Sequence, residues 1–479
     1  MAKILKVGDT IMSQKGVTIK VTKLISAKGG QGYVYAVDYG GTSKVLKWYK
    51  AGFLDNLRAK RLVEGDNGET RTVRAEASGK VDPAKLFPGE RVAGAAIDAF
   101  YNNLVTNSRH APPSKVYVWP QDVTVWLGGA EDSFGYIMDF IDMSTYVELT
   151  DYFLFRKRYA DRGVMLTACL NIVDAFEKLH VNGYSYQDLN NGNIFVKADT
   201  GEVLIADNDN ITPNRKNLGV AGKDRYMAPE IVDPARVGKK VVLPDRKTDA
   251  FSLAIILFRM MMGGQHPLEG VYSENNDEKT VYGSDPVFIF DPADKRNAPV
   301  PEKHKNVMVM WPQYPEYIHK MFLAFFGKQA LSNPQSRPVE AILIDTLVRL
   351  RGEMVDCPKC KEAPVFLSTQ GAVKCPKCKT ALTVPCKIKF PGAIIPIVPS
   401  ITVYKCQFDR TCKEFNAPAF KFVMSKDRTK MGFGNMMKDT TWVVTYPDGT
   451  RRDVPYGQVA DFKVGMKIAI GPLVGEVLK

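Results

Sequence analysis

Three groups of residues in this 479-residue chain have types and spacings that could do chemistry. In the first, Tyr186-Gln-Asp-Leu-Asn-Asn-Gly-Asn193, Asp188 and Asn193 stand five positions apart, between a helix-like stretch ending Leu179-His-Val-Asn-Gly183 and the apolar run Ile194-Phe-Val196. On such a loop one carboxylate can face a substrate hydroxyl while an amide oxygen holds a metal ion. Asp207 follows fourteen residues after Asn193, at the end of the apolar run Val203-Leu-Ile-Ala206. A carboxylate there suits Mg²⁺, which takes one or two protein carboxylates together with substrate phosphates. The second group is Lys28-Gly-Gly-Gln-Gly-Tyr-Val-Tyr35, where Gly29, Gly30 and Gly32 let backbone amides close over phosphate oxygens. Lys47 stands in the next apolar run, Val45-Leu-Lys-Trp48, where a lysine needs an anionic partner to offset its desolvation. The third group pairs Cys357-Pro-Lys-Cys360 with Cys375-Pro-Lys-Cys378 across fourteen residues. That spacing suits two knuckles on one tetrahedral Zn²⁺, and four thiolates leave no open position, so the ion is expected to be structural.

These groups need elements to position them. Residues 1–50 alternate apolar and polar in VTIKVTKLI, YVYAVDY and KVLKWYK, which predicts an antiparallel sheet. Residues 51–91 are rich in charge and poor in apolar periodicity, and are read as an inserted loop. Pro88 and ERVAGAAIDAFYNNLV then predict a helix presenting Val92, Ala96, Phe100 and Leu104 on one face. Further helices are predicted over Met165–Val181, Thr248–Met262, Tyr317–Phe326 and Val339–Arg351. Beyond 400, runs such as Ile401–Cys406, Ala419–Met424, Thr441–Tyr446 and Lys467–Ile470, with the turn Pro447-Asp-Gly449, predict a small β domain. Cys386, Cys406 and Cys412 lack a partner pattern, and Cys169 reads as a core residue.

At 45% hydrophobic and 24% charged residues, wholesale disorder, a collagen-like repeat and a membrane protein are disfavoured. The longest apolar run, Ala250–Phe258, is too short to cross about 30 Å of hydrocarbon. The opening stretch lacks the apolar core of a signal peptide, so cytoplasmic residence is expected. Of the net charge of +13, residues 341–479 carry +10 (22 basic, 12 acidic), leaving +3 for residues 1–340. A basic tail can meet an acidic protein, anionic lipid or nucleic acid.

Tyr226-Met-Ala-Pro-Glu230, Asp249 before an apolar helix, and Arg337 complete a series. The order and spacing of glycine loop, strand lysine, Asp-x-x-x-x-Asn loop, metal-binding Asp, Ala-Pro-Glu and late arginine make the first 350 residues resemble a protein kinase. The resemblance implies an α+β, bilobal protein-kinase-like fold. Its N-lobe of antiparallel sheet plus helix would span 1–141 with the polar insertion 51–91, and its mainly helical C-lobe 142–352. A zinc ribbon (353–385) and a small all-β domain (386–479) would follow. It implies ATP with Mg²⁺ or Mn²⁺ as cofactors beside structural Zn²⁺. Lys47 would hold the α- and β-phosphates, Asp188 would orient or deprotonate the acceptor hydroxyl, and Asn193 and Asp207 would hold the metal. Glu230 would pair with Arg337 as a scaffold. Tyr136-Ile-Met-Asp-Phe-Ile141 resembles the hinge, with Met138 as gatekeeper and the Asp139 carbonyl and Ile141 amide meeting adenine.

Several positions depart from that pattern. Ala27 replaces the first glycine. Tyr186-Gln187 stands in place of His-Arg, removing the arginine that reads a phosphorylated activation loop, so such control is not expected. Asn190, in the catalytic set, replaces the lysine that usually faces the γ-phosphate, and slow turnover is the expected consequence. Asn208 replaces the usual aromatic residue. Asp209, in place of glycine, either adds a metal ligand or faces solvent, and the second is expected. Lys223 occupies a place where Ser/Thr-specific kinases carry Thr. No helix carboxylate for Lys47 can be placed: Glu90 is the one Glu between 77 and 130 and falls near a helix start, while Asp98 and Asn102 lie mid-helix.

LKWYK, DNDN, HPLEG and YGSDPVFIFDPADKRNAPVP resemble bacterial kinases associated with the TerY tellurite-resistance proteins. That implies a metal-dependent protein phosphatase and a von Willebrand A protein as partners beside a protein substrate. TTWVVTYPDGT and VGMKIAIG faintly resemble the distal half of forkhead-associated domains, without their proximal arginine and serine motifs. Trp442 is the one tryptophan of the tail, so base stacking is not specially supported and nucleic acid ranks behind protein as a partner. The expected function is transfer of the ATP γ-phosphate to a protein hydroxyl. The alternatives are a nucleotide-binding pseudokinase scaffold that docks partners through its ribbon and tail, and a small-molecule kinase.

Overall fold

A computed structural model describes residues 4–129, 132–220, 222–361, 364–367, 373–382, 384, 386–398, 401–425 and 430–479; the first three residues of the opening stretch lie outside these. The alternating residues near the amino terminus form β1 (Thr10–Met12), β2 (Thr18–Ser26), β3 (Gly32–Tyr39) and β4 (Thr42–Tyr49). Along β2, Ile19 and Val21 are buried while Thr18 and Lys20 face water, the period of two that a half-buried strand requires.

Residues 51–91, read as a loop from their charge, are instead folded. They form α1 (Ala51–Arg58), β5 (Lys60–Glu64) and β6 (Thr70–Arg74), and with β7 (Arg91–Ala95) make a three-stranded sheet in the order β6-β5-β7. The sheet needs few apolar residues because Leu54, Leu57 and Val63 bury themselves completely. β7 also takes the first turn of the predicted helix. Gly94, at φ 144°, has a backbone no helix can use, and Val92 is exposed instead of core. The helix, α2 (Ala96–Ser108), begins afterwards and buries Phe100 and Leu104. β8 (Asp122–Val123) and β9 (Gly135–Met138) complete a main sheet ordered β1-β2-β3-β4-β9-β8. Gly135 is forced by close approach, since a Cβ there would lie 2.2 Å from the Lys47 carbonyl oxygen.

The second lobe opens with β10 (Tyr146–Glu148), α3 (Leu149–Phe153) and α4 (Arg162–Val181). Short strands β11 (Tyr184–Ser185), β12 (Ile194–Lys197), β13 (Val203–Ile205) and β14 (Thr212–Pro213) carry the loops that hold Asp188 and Asp207. Helices follow: α5 (Pro229–Val232), α6 (Arg246–Met261), α7 (Lys305–Met310), α8 (Glu316–Phe326), α9 (Lys328–Ser332) and α10 (Glu340–Glu353). The four predicted helices thus appear as α4, α6, α8 and α10. α6 starts where a capping box dictates: Asp245 accepts the Lys247 and Thr248 amides, and the Thr248 hydroxyl accepts the Asp245 amide. Its apolar run is the centre of the lobe's core, with Phe251, Leu253, Ile255, Ile256, Leu257 and Phe258 fully buried. Among the described residues no helix is long and apolar enough to cross a membrane.

Beyond α10, Met354–Asp356 pairs with Pro364–Phe366 and Val373–Lys374 with Ala381–Leu382, one small hairpin for each cysteine pair. The remainder is a sandwich of a six-stranded and a four-stranded antiparallel sheet. Trp442 is fully buried in it against Phe420, and so offers no platform for a base. The tail is packed on the kinase-like lobe. Arg351 of α10 donates to the Phe415 carbonyl and lies 3.7 Å over the Tyr404 ring. Lys413 pairs with Glu177 at 2.8 Å, and Cys406 and Phe415 join the lobe's own core.

One buried ionic contact ties three helices together. The two ring nitrogens of His180 on α4 meet Glu340 on α10 at 2.8 Å and Asp249 on α6 at 3.1 Å. Burial pulls the imidazole down, but hydrogen bonds and charge from Asp249 and Glu340 reverse this and raise its pKa to about 9. A raised folded-state pKa stabilises fully below the unfolded value near 6.5 and is lost as pH rises through about 9. His180→Ala is expected to cost about 3–5 kcal/mol in denaturant titrations at pH 6, because it leaves the buried Asp249 without its cation and Glu340 with Arg246 alone. The cost should shrink steadily toward pH 9.

Candidate active site

Lys47 sits on β4 opposite Tyr136 of β9, and its ammonium is drawn into a closed set of oxygens. It donates to both carboxylate oxygens of Asp209 (3.1 and 2.9 Å), to Asp207 (3.3 Å) and to the Gln31 side-chain oxygen (3.1 Å). Burial alone would drive the lysine neutral, but the Asp207 and Asp209 charges override it and raise its pKa.

The expectation that Asp209 faces solvent is overturned. Its side chain is 0% exposed and also accepts the Tyr49 hydroxyl at 2.7 Å and the Tyr136 hydroxyl at 3.3 Å. With Lys47 and two phenols on it, Asp209 has no face left for a metal. Asp207 differs: its side chain is 42% exposed, and Lys47 is 3.3 Å away. The two carboxylates therefore divide the work, one holding the lysine and one facing the cleft. The turn is fixed by Asp207 itself, in the left-handed region at φ 55°, and by Asn208, whose amide donates to the Val118 and Ile205 carbonyls at 2.8 and 2.9 Å.

This arrangement also answers the missing helix carboxylate. Glu90 is turned away, clamped by Arg71 through two contacts of 2.7 Å. What α2 contributes is amides, Asn103 and Asn107 donating to the Ile211 carbonyl at 2.9 and 3.1 Å. The sequence did carry a signal: a helix without a usable Glu, and one Asp too many after Asp207.

Asp188, Asn193 and Asp207 are stitched together by the backbone. Asn193 Nδ2 donates to the Asp188 carbonyl at 2.9 Å, and the Ala206 amide donates to the Asn193 carbonyl at 2.8 Å. This sets Asp207, the next residue, beside Asn193. Burial pushes the Asp188 carboxyl up to about 6, against lowering by the Lys223 charge and the Asn190 hydrogen bond. A carboxylate so poised suits a general base near neutral pH. Asn190 Nδ2 donates to Asp188 Oδ1 at 3.2 Å.

The glycine loop spans the turn between β2 and β3. Gly32 approaches β4 so closely that a Cβ would lie 2.9 Å from the Trp48 carbonyl oxygen, whereas Gly30 has open space and Gly29 only the Gly32 carbonyl at 3.3 Å. Lys50 fastens the loop through the Ala27 and Gly29 carbonyls at 2.7 and 2.6 Å. At the hinge, Met138 ends β9 opposite Val45. The exposed Asp139 side chain is held by Lys44 and Gln121, both at 2.5 Å, and Ile141 follows half-buried.

The folded insertion has a role that the sequence concealed. The Asn217 amide donates to the Thr70 carbonyl at 2.9 Å, the Thr70 amide to the Arg215 carbonyl at 3.3 Å, and Glu69 pairs with Arg215 at 2.7 Å. Gln187, where an arginine is usual, donates its amide to Thr212 and to the Lys216 carbonyl. Neutral hydrogen bonds and one surface ion pair thus hold the segment after Asp207. Beneath it, Glu230 and Arg337 form the expected buried pair at 2.5 and 2.9 Å.

In the tail, the four sulfurs of Cys357, Cys360, Cys375 and Cys378 lie within 4.8 Å of one another. The Cys357–Cys378 and Cys360–Cys375 separations of 3.6 and 3.7 Å match the edge of a tetrahedron with metal–sulfur bonds of about 2.3 Å. This donor set fits Zn²⁺.

Residues 125–338 match the family model described as protein kinase domain, and the two-lobed fold is that of a protein kinase. Among curated proteins the chain is similar to the protein kinase YegI of Escherichia coli K12, 31% identical over 111 residues (22% of this chain, 16% of that protein). It is also similar to the serine/threonine-protein kinase pak-1 of Caenorhabditis elegans, 29% identical over 119 residues (23% and 19%). The chain therefore matches less than a fifth of the length of either. Among solved structures, the PknI kinase domain of Mycobacterium tuberculosis aligns over 72% of this chain and 98% of its own, with 15% identity and a TM-score of 0.42.

The ties from Gln187 and the insertion lead to an expected outcome. Hydrogen exchange at the Asn217 amide should be equally slow before and after phosphatase treatment. In a Glu69→Ala/Gln187→Ala variant it should speed up about tenfold or more, the scale of one or two lost hydrogen bonds.

Proposed function

We propose that a chain with this kinase fold is an ATP-dependent protein kinase, transferring the γ-phosphate to a protein hydroxyl, of serine or threonine by preference. The observation that supports it most is the convergence of Asp188, Asn193 and Asp207 through the Asn193–Asp188 and Ala206–Asn193 hydrogen bonds. It puts a base with a pKa of about 6 beside two oxygen donors suited to Mg²⁺ or Mn²⁺.

In this reading the glycine loop (Gly29, Gly30, Gly32) covers the phosphates and Lys47 neutralises the α- and β-phosphates. Met138, the Asp139 carbonyl and the Ile141 amide meet the adenine. Asn193 and Asp207 hold the metal, which when bound neutralises charge on the transferring group. Asp188 accepts the proton of the acceptor hydroxyl as its oxygen attacks. Asn190 steadies the Asp188 carboxylate. Asp209 does not enter the chemistry directly; it keeps Lys47 charged and aimed. The units proposed are the lobes 1–141 and 142–352, a zinc ribbon over 353–385 holding structural Zn²⁺ on its four cysteines, and a β domain over 386–479. None of the eight cysteines is paired in a disulfide, which suits a reducing cytoplasm. The resemblance of the LKWYK and DNDN segments to TerY-associated kinases supports a metal-dependent phosphatase and a von Willebrand A protein as partners, and the basic tail supports an acidic protein surface ahead of nucleic acid.

Radiolabelled ATP with Mg²⁺ should label serine or threonine on the chain itself or on a peptide library. Asp188→Asn should cut that labelling by at least 10³-fold without changing the melting temperature; equal labelling by both proteins would refute the reading. Elemental analysis should find one zinc per chain. Cys357→Ser/Cys378→Ser should lose it while the Asp188-dependent labelling persists.

A further inference from the structure

The Asn190 side chain is buried and fully engaged. Its Nδ2 donates to the Asp188 carbonyl and carboxylate at 3.1 and 3.2 Å, and its Oδ1 accepts the Gly192 amide and the Lys223 ammonium, each at 3.0 Å. Asn190 thus links the Asp188 carboxylate to a cation that arrives from a different segment. The backbone that carries this cation is pinned. A Cβ on Gly222 would lie 2.8 Å from the Gln187 carbonyl oxygen, and the Lys223 carbonyl accepts the Tyr226 and Met227 amides at 2.8 and 3.1 Å. Lys223 is solvent-exposed as a residue, and its ammonium is tied to the loop through Asn190 Oδ1. A positive charge held through Asn190 beside the Asp188 carboxylate, on a residue exposed to solvent, is placed to meet an anion that approaches that carboxylate.

We propose that Lys223 is a catalytic residue whose ammonium contacts the phosphoryl group in flight, supplying from the activation segment the cation that Asn190 cannot supply from the catalytic loop. The cation has moved from the catalytic loop to the activation segment, leaving an amide in the loop. This rests on the kinase reading above. As the acceptor oxygen bonds to the γ-phosphorus, the bond from that phosphorus to the bridging oxygen breaks and ADP leaves with its electron pair. The acceptor proton passes to the Asp188 carboxylate. Lys223 gains and loses no proton; it donates hydrogen bonds to oxygens whose charge is greatest in the transition state.

Five proteins decide it: wild type, Asp188→Asn, Lys223→Met, Lys223→Arg, and the exchanged variant Asn190→Lys/Lys223→Thr. Each is checked for an unchanged melting temperature, assayed for Asp188-dependent phosphoryl transfer, and titrated with Mg-ATP and Mg-ADP. Lys223→Met should lower kcat by 10²–10³-fold and bind Mg-ADP within twofold of wild type. Lys223→Arg should recover part of the loss, and the exchanged variant should come within tenfold of wild type. Transfer by Lys223→Met within threefold of wild type, or a folded exchanged variant no better than Lys223→Met, overturns the proposal. Should wild type and Asp188→Asn transfer equally, the kinase reading falls by itself. The titrations still judge Lys223: a wild-type preference for Mg-ATP over Mg-ADP that shrinks in Lys223→Met supports the contact, and one that survives unchanged overturns it.

Discussion

A lysine ammonium buried in a β-sheet must be answered by a carboxylate, and much of this molecule is arranged around how Lys47 is answered. The counter-charge comes from the segment after β13, where Asp209 takes the ammonium and two phenols at once. That choice fixes the neighbours. Tyr49 and Tyr136 must be phenols facing inward, with the Tyr49 ring packed edge-on against Phe100 and Phe134. Asp207 is pressed into a left-handed turn with its carboxylate toward the cleft. α2, relieved of its charge, reaches the same segment through Asn103 and Asn107. Breaking a buried ion pair by removing one partner costs about 3–5 kcal/mol, so sheet, helix and the loop that carries Asp207 stand or fall together.

The same economy of charge recurs around the catalytic loop. Gln187 ties down the following segment with an amide where an arginine would await a phosphate, and the insertion sheet adds Thr70 and Glu69 to the other side. The segment is ordered by contacts the chain always has. The tail contributes from behind, Lys413 pairing with Glu177 of α4 and the Phe415 carbonyl accepting Arg351 of α10.

The helical lobe was legible because its helices bury continuous apolar runs and begin at recognisable caps, as α6 does at Asp245. That Asp188, Asn193 and Asp207 come together was legible because they lie on two short loops joined to adjacent strands, as their spacing along the chain suggests. What escaped depended on contacts between residues far apart in sequence. Asp209 looked like a spare surface carboxylate because nothing local in DNDN reports that Lys47 lies 162 residues away in sequence and in contact. The insertion looked like a loop because its strands bury only a few side chains and pair mostly with one another, with Thr70 reaching residues 215–217. Val92 carried a helical period by coincidence; the left-handed Gly94 and the pairing of β7 with β5 outweighed it.

The claim that Asp209, and no residue of α2, holds Lys47 is tested most directly by double-mutant cycles of Lys47→Met with Asp209→Asn and with Glu90→Gln, read by denaturant unfolding. A coupling of about 2–3 kcal/mol between Lys47 and Asp209, with Lys47 and Glu90 additive within about 0.5 kcal/mol, is the predicted result. Additivity of Lys47 with Asp209, or strong coupling to Glu90, would contradict it.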